Sequence, residues 1–318
     1  MKRHLFALVF AAASFGALAQ AYPSKPLHVI VPFPPGGPTD VLGRVLAQGL
    51  SAALGQPAIV DNKAGAAGNI GMEQAAKAPP DGYTLAIVPL GNIAVNPTLF
   101  PGLPYKASDL APVSMLATVE NVLVVNAAVP ARSVKQLLAL AAQKPNAVSF
   151  ASPGAGSQAH LAGELMALTA GVHLLHVPYK GIGPALNDLL GGQVSMMFAQ
   201  MSSVLPHIKG GKLRALGVAS LKRSALMPEL PTLAEQDLPH FEAVSWYALM
   251  VPANTPRAVI DRLNTETNRL LAKPELKDKL AALGMDAGGS RPQELAASIQ
   301  AETVRWAEVI RQKNIKPE

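Results

Sequence analysis

One pattern recurs along the chain and leaves few folds open: a short apolar, β-branched run, a Gly/Pro-rich turn, then an amphipathic stretch. LHVIV leads through PFPPGGPTD into VLGRVLAQGLSAALG, and PAIVDN leads through KAGAAG into NIGMEQAAKA. TLAIV, VSFAS and HLLHVPY open later copies. In the first amphipathic stretch Val41, Leu42, Val45, Leu46, Leu50, Ala53 and Leu54 fall near the helical period and make one apolar face. Strands that are apolar without alternation and separated by helices need cover on both faces. The pattern predicts an α/β protein with mostly parallel sheets.

About 300 residues exceed one comfortable core, so two lobes are expected. Two long apolar segments, 113–126 and 241–252, stand where the chain would cross between them. The expected division is 22–122 plus 243–318 for one lobe and 123–242 for the other.

The N-terminus has a basic start at Lys2, Arg3 and His4, an apolar run from Leu5 to Ala19, and the small-residue pattern Ala19-Gln20-Ala21. That is the form of a secretory signal peptide over residues 1–21, cleaved near Ala21 or alternatively at Ala19, with a run too short to span a membrane. There is no cysteine, hence no disulfide and no thiol for a lipid anchor. The periplasm is the expected address, with free secretion as the alternative. Loss of Lys2 and Arg3 lowers the formal net charge from +6 to +4. The scattered cations Lys209, Lys212, Arg214, Lys222 and Arg223 have no interleaved aromatics, which argues against a nucleic-acid groove and for a solvated basic face. Mild positive charge steers small anions.

Two glycine loops carry the chemistry. In open parallel sheets, ligands sit where strand ends run into helix N-termini. In PFPPGGPTD, Gly36 and Gly37 allow close backbone approach, Pro38 suits a first helical position, and the amides of Thr39 and Asp40 point outward unpaired. In ASPGAGSQAH, Gly154 and Gly156 precede Ser157 and the amides of Gln158 and Ala159. Each is an anion seat at the positive end of a helix.

The second loop also fits the dinucleotide pattern G-x-G-x-x-A, but no acid for a ribose follows at the required distance and no phosphate-loop lysine occurs, so no nucleotide cofactor is expected. Ser157 and His160 share a helix face without G-x-S-x-G, a positioning acid or an oxyanion hole, which makes Ser157 a cap and ligand donor rather than a nucleophile. No histidine has a second metal ligand at useful spacing. DNKAGAAGNIG reads as a third ligand loop or a packed turn, and the turn is favoured. Two seats on opposing lobes describe a clamp that closes on a small acid, and not an enzyme.

The segments YPSKPLHVIVPFPPGGPTDVLGR, DNKAGAAGNIG, PPDGYTL, HLAGEL, HVPYKG, PALNDLLGGQV, LPHIKGGKLRALGV and RLNTETNRLLAKPE together resemble the Bug family of periplasmic solute-binding proteins of tripartite tricarboxylate transporters, in collinear order from Tyr22 to about Pro317. The resemblance implies a two-lobed type II periplasmic binding fold with a hinge, a small carboxylate ligand, a monomer, and two membrane transporter subunits as partners. A sensory component that reports the same acid to a membrane receptor is the alternative. It also implies carboxylate binding by Phe33, Gly36, Gly37, Thr39 and Asp40 in one lobe and by Gly156, Ser157 and Gln158 in the other. Pro34, Pro89, Leu90, Asn92, Tyr179, Ala199 and Gln200 complete the expected ligand set. Two departures stand out. Many members carry MFD where this chain reads MFAQ with Ala199, and VPLGNIAVN replaces a Ser/Thr-rich wall with Pro89, Leu90 and Ile93. Both disfavour an amino-acid ligand and favour aliphatic di- or tricarboxylates or aromatic acids.

Overall fold

The computed structural model describes residues 22–317; the expected signal peptide lies outside them. In chain order, β1 (Leu27–Val31), α1 (Pro38–Leu54), β2 (Ala58–Asn62), α2 (Asn69–Ala76) and β3 (Thr84–Pro89) realise the recurring pattern. A π-helical turn, Gly91–Val95, then runs into the short α3 (Asn96–Leu99) and on to β4 (Leu110–Val119). The chain next builds β5 (Asn121–Asn126), α4 (Val134–Gln143), β6 (Ser149–Ser152), α5 (Gln158–Ala170) and β7 (Leu175–Pro178). It continues through α6 (Ile182–Leu190), β8 (Met196–Gln200), α7 (Met201–Lys209) and β9 (Leu213–Val218). It ends with β10 (Ser245–Pro252), α8 (Arg257–Leu271), α9 (Pro274–Ala282), β11 (Met285–Ala287) and α10 (Pro292–Gln312).

Two sheets result, in the orders β11-β4-β10-β3-β1-β2 and β7-β6-β8-β5-β9. The chain leaves the first sheet at Val119 and enters the second at Asn121, and it returns between Val218 and Ser245. The expectation of mostly parallel sheets needs correction, because both are mixed. Strands joined by crossover helices pair in parallel, as β1 with β2 and β3, and β6 with β7 and β8. The crossing strands have no such helix to turn them around: β10 runs antiparallel to β3 and β4, and β5 antiparallel to β8 and β9.

The apolar stripe of α1 buries Leu42, Leu46 and Leu50 against Val29, Val31 and Ile87 of the first sheet. A second core runs without a break from Ile30 and Val88 through Leu99 and Tyr105 to Leu123, Phe150 and Trp306, and so belongs to both lobes. Helix α10 supplies much of that continuity, since it packs on β4, on the π-helical turn and on α5. Among the described residues no helix is long and apolar enough to cross a membrane.

Candidate functional site

A cavity of about 450 Å³ opens between the lobes. Its first wall is Phe33, Ala67, Pro89, Leu90, Asn92, Val95, Asn96, Leu99 and Phe100; its second is the loop from Pro153 to Gln158; β10 adds Ser245, Trp246 and Tyr247. Among the described residues no Asp, Glu, Lys, Arg or His side chain is part of this lining.

The second loop is shaped by its glycines. Gly156 has φ +73°, a left-handed backbone that a side chain would strain, and a Cβ there would run into Leu99 of the facing wall. The Ser157 hydroxyl donates to the Gly154 carbonyl at 2.6 Å and accepts from the His160 amide at 3.4 Å, capping α5. The amides of Gln158 and Ala159, in the first turn of α5, have no intrahelical acceptor. An anion above this loop meets a positive helix end without any formal cation.

The first loop is held by one carboxylate. Asp40 is 2% exposed and accepts from the Gly36 amide, Arg44 Nε and Asn62 Nδ2, each at 2.9 Å. Asn62 also donates to the Phe33 carbonyl at 3.1 Å. Burial alone would raise the pKa of Asp40, but the bonds from Arg44, Gly36 and Asn62 hold it below the usual carboxylate range. Asp40 therefore serves its own loop and is not a free acceptor for a ligand. Helix α1 has Gly37 at its cap with no side-chain cap bond.

A third loop joins them. Gly65, Ala66, Ala67 and Gly68 all have positive φ, two of them alanines. The run is held by Asn92 Nδ2 donating to the Ala67 carbonyl at 2.9 Å, and Gly68 leaves room only for Asn92 and Phe33. Behind it, Asn96 Nδ2 and Tyr105 Oη both donate to Asn69 Oδ1, at 2.8 and 3.1 Å.

Of the residues expected from sequence, Phe33, Pro89, Leu90, Asn92, Gly156, Ser157 and Gln158 come together in the cavity wall. Pro34, Gly36, Gly37, Thr39 and Asp40 lie outside the lining, in the loop and helix turn behind Phe33. Ala199 is buried in the core between β8 and its helices, and Gln200 caps α7. Tyr179 donates to Asp188 at 2.7 Å, away from the cavity. Sequence reading missed Ala67, Asn96, Leu99, Phe100 and Trp246. The run of Ala66 and Ala67 between two glycines was the one available signal for Ala67; the apolar members look like core residues.

The sequence matches the model of the tripartite tricarboxylate transporter family receptor, TctC, over residues 42–315. The chain belongs to that family. BugT of Bordetella pertussis is 43% identical over 300 residues, covering 94% of this chain and 92% of BugT. An R. palustris protein solved with adipate is similar at 35% identity and a TM-score of 0.78, over 93% of this chain and all of that one. MatC of Rhodopseudomonas palustris, solved with malate, matches at 31% and 0.73, over 91% of this chain and all of MatC. This family of periplasmic solute receptors has the two-lobed α/β fold seen here.

Proposed function

We propose that this chain captures a small carboxylate in the cleft between lobes 22–122 plus 243–318 and 123–242, and presents it in the periplasm to a tripartite tricarboxylate-type transporter. The ligand class is an acid without an ammonium group: an aliphatic di- or tricarboxylate or an aromatic acid. The observation that carries this is a cavity bordered at the Pro153–Gln158 loop by the positive N-terminal end of α5, apolar along Leu90, Leu99, Phe100 and Trp246, and free of charged side chains among the described residues of its lining. Apolar walls with a few converging polar groups are what a small-molecule pocket provides. A buried ammonium would find no carboxylate there, and an unpaired charge in a closed cleft costs several kcal/mol (about 2–7 even for a polar group). Adipate in one relative and malate in another support the same class.

Catalysis is not part of the reading. The Ser157 hydroxyl donates to a carbonyl, and His160 Nδ1 accepts from the Gly156 amide at 3.0 Å, so the pair is not arranged as nucleophile and base. Thermal-shift screening of a carboxylate panel tests the proposal, since a ligand that binds only the folded state raises its stability. Dicarboxylates should raise the melting temperature and ester substrates should not turn over. A panel in which only amino acids or sugars stabilise the protein overturns it.

A further inference from the structure

Behind the second loop lies a cluster of titratable groups that the binding surface itself does not use. His160 of α5 and His176 of β7 stack face to face, with ring centroids 3.7 Å apart and planes within 5°. Each imidazole holds one glycine of the loop. His160 Nδ1 accepts directly from the Gly156 amide at 3.0 Å. His176 Nε2 lies 2.7 Å from Ser152 Oγ, which in turn donates to the Gly154 carbonyl at 3.0 Å and accepts from the Gly154 amide at 3.2 Å.

The other groups around His160 complete the device. Glu164, one turn along α5, faces His160 Nε2 at 3.8 Å, and Lys313, just past the end of α10, pairs with the same carboxylate at 3.0 Å. From β6 only the Phe150 ring and the Ser152 hydroxyl reach the pair, and neither titrates in this range. His160 is 6% exposed. Its acceptor role at Nδ1 requires the proton on Nε2, the side that faces Glu164. A second proton would occupy Nδ1 and leave the Gly156 amide without an acceptor. It would also bring positive charge against His176, whose pKa burial and then the neighbouring His160 already push down to about 4.

We infer that the stacked His160–His176 pair is a proton-sensitive positioning device for the Gly154–Ser157 loop: neutral, it holds the loop in its ligand-receiving shape, and protonation of His160 releases loop and ligand together. The inference deepens the proposed function and rests on it. His160 touches no ligand and acts through Gly156.

Titration calorimetry with adipate from about pH 8 to about pH 5, the range in which histidine changes charge, tests this on the whole chain. Wild-type affinity should fall about tenfold more than that of His160→Asn, whose side-chain oxygen keeps an acceptor near the Nδ1 position but does not titrate. His160→Ala should be weakened at every pH. Parallel profiles for wild type and His160→Asn overturn the inference while leaving carboxylate capture intact. The Gly156 amide resonance of the ligand-free protein gives a second readout. It should move with pH in the wild type and stay fixed in His160→Asn; a fixed resonance in both overturns the inference whether or not adipate binds.

Discussion

At the scale of single residues, the two seats are built differently, and their variants should fail differently. Ser157→Ala removes the cap of α5 and the hydroxyl that fastens Gly154, so both stability and affinity should drop, each by about 1 kcal/mol. Denaturant unfolding and calorimetry with adipate read the two losses. Thr39→Val keeps its volume and removes the one hydroxyl of the first turn of α1; affinity should fall by about 1 kcal/mol with a smaller change in stability, and unchanged affinity in both variants sinks the two-seat arrangement. Asp40 adds a pH signature. Its folded pKa is depressed, so its contribution is present above the unfolded value of about 3.9 and is lost as pH falls through the folded value. Asp40→Asn should therefore melt earlier than wild type near neutral pH, with the gap closing below about pH 4.

At the scale of elements, α1 follows the loop that places Phe33 in the cavity wall and rests on the sheet through Gly43. A Cβ at that position meets Val31 Cγ2 at 2.7 Å and Ile87 Cγ1 at 3.5 Å, both on fully buried β-branched side chains. Alanine gains roughly 1 kcal/mol of helix propensity, while overpacking a core costs roughly 1–3 kcal/mol. The clash should win because both neighbours are fully buried and β-branched side chains are stiff at χ1. Gly43→Ala should lower unfolding free energy by about 1 kcal/mol and, by lifting α1, weaken adipate binding as well; a stabilised variant would show that the helix slides freely. The same elements mark what could be read from sequence. The period of Val41 to Leu54 and the turn chemistry of Gly36-Gly37-Pro38 are local signals, and α1 with its loop was legible from them. The direction of β5 and β10 was not, since a buried apolar run such as VSMLATVENVLVVN looks the same in either orientation. Nor could Leu99, Phe100 and Trp246 be separated from core residues, because hydrophobic pattern reports burial and not whether the buried face borders a cavity.

At the scale of the whole molecule, the shared core decides what the cleft admits. The lobes are joined by two crossings, by α10 and by one continuous apolar cluster through Leu99, Phe150 and Trp306, so the cavity is apolar on its long sides and polar at its loops. Sequence reading placed the rejection of ammonium groups on Ala199, Pro89 and Leu90; Pro89 and Leu90 line the cavity, but the structure buries Ala199 away from it. The proposed selectivity rests more firmly on two other observations: among the described residues no carboxylate lines the cavity, and Asp40, in the helix turn behind Phe33, already accepts from Gly36, Arg44 and Asn62. Aspartate and succinate differ by one ammonium group, and burying that charge without a partner costs far more than any polar contact with Asn92 or Asn96 could return. Succinate should therefore bind more tightly than aspartate by at least about 2 kcal/mol, or roughly thirtyfold. Adipate, with a longer apolar middle to lie along Leu99 and Trp246, should exceed succinate, since each methylene buried contributes about 0.8 kcal/mol. Calorimetry with the three acids at one pH and salt concentration orders them. Aspartate binding as tightly as succinate would mean that a carboxylate enters the cleft on closure, and Asp40→Asn would then be the variant to show whether it is that one.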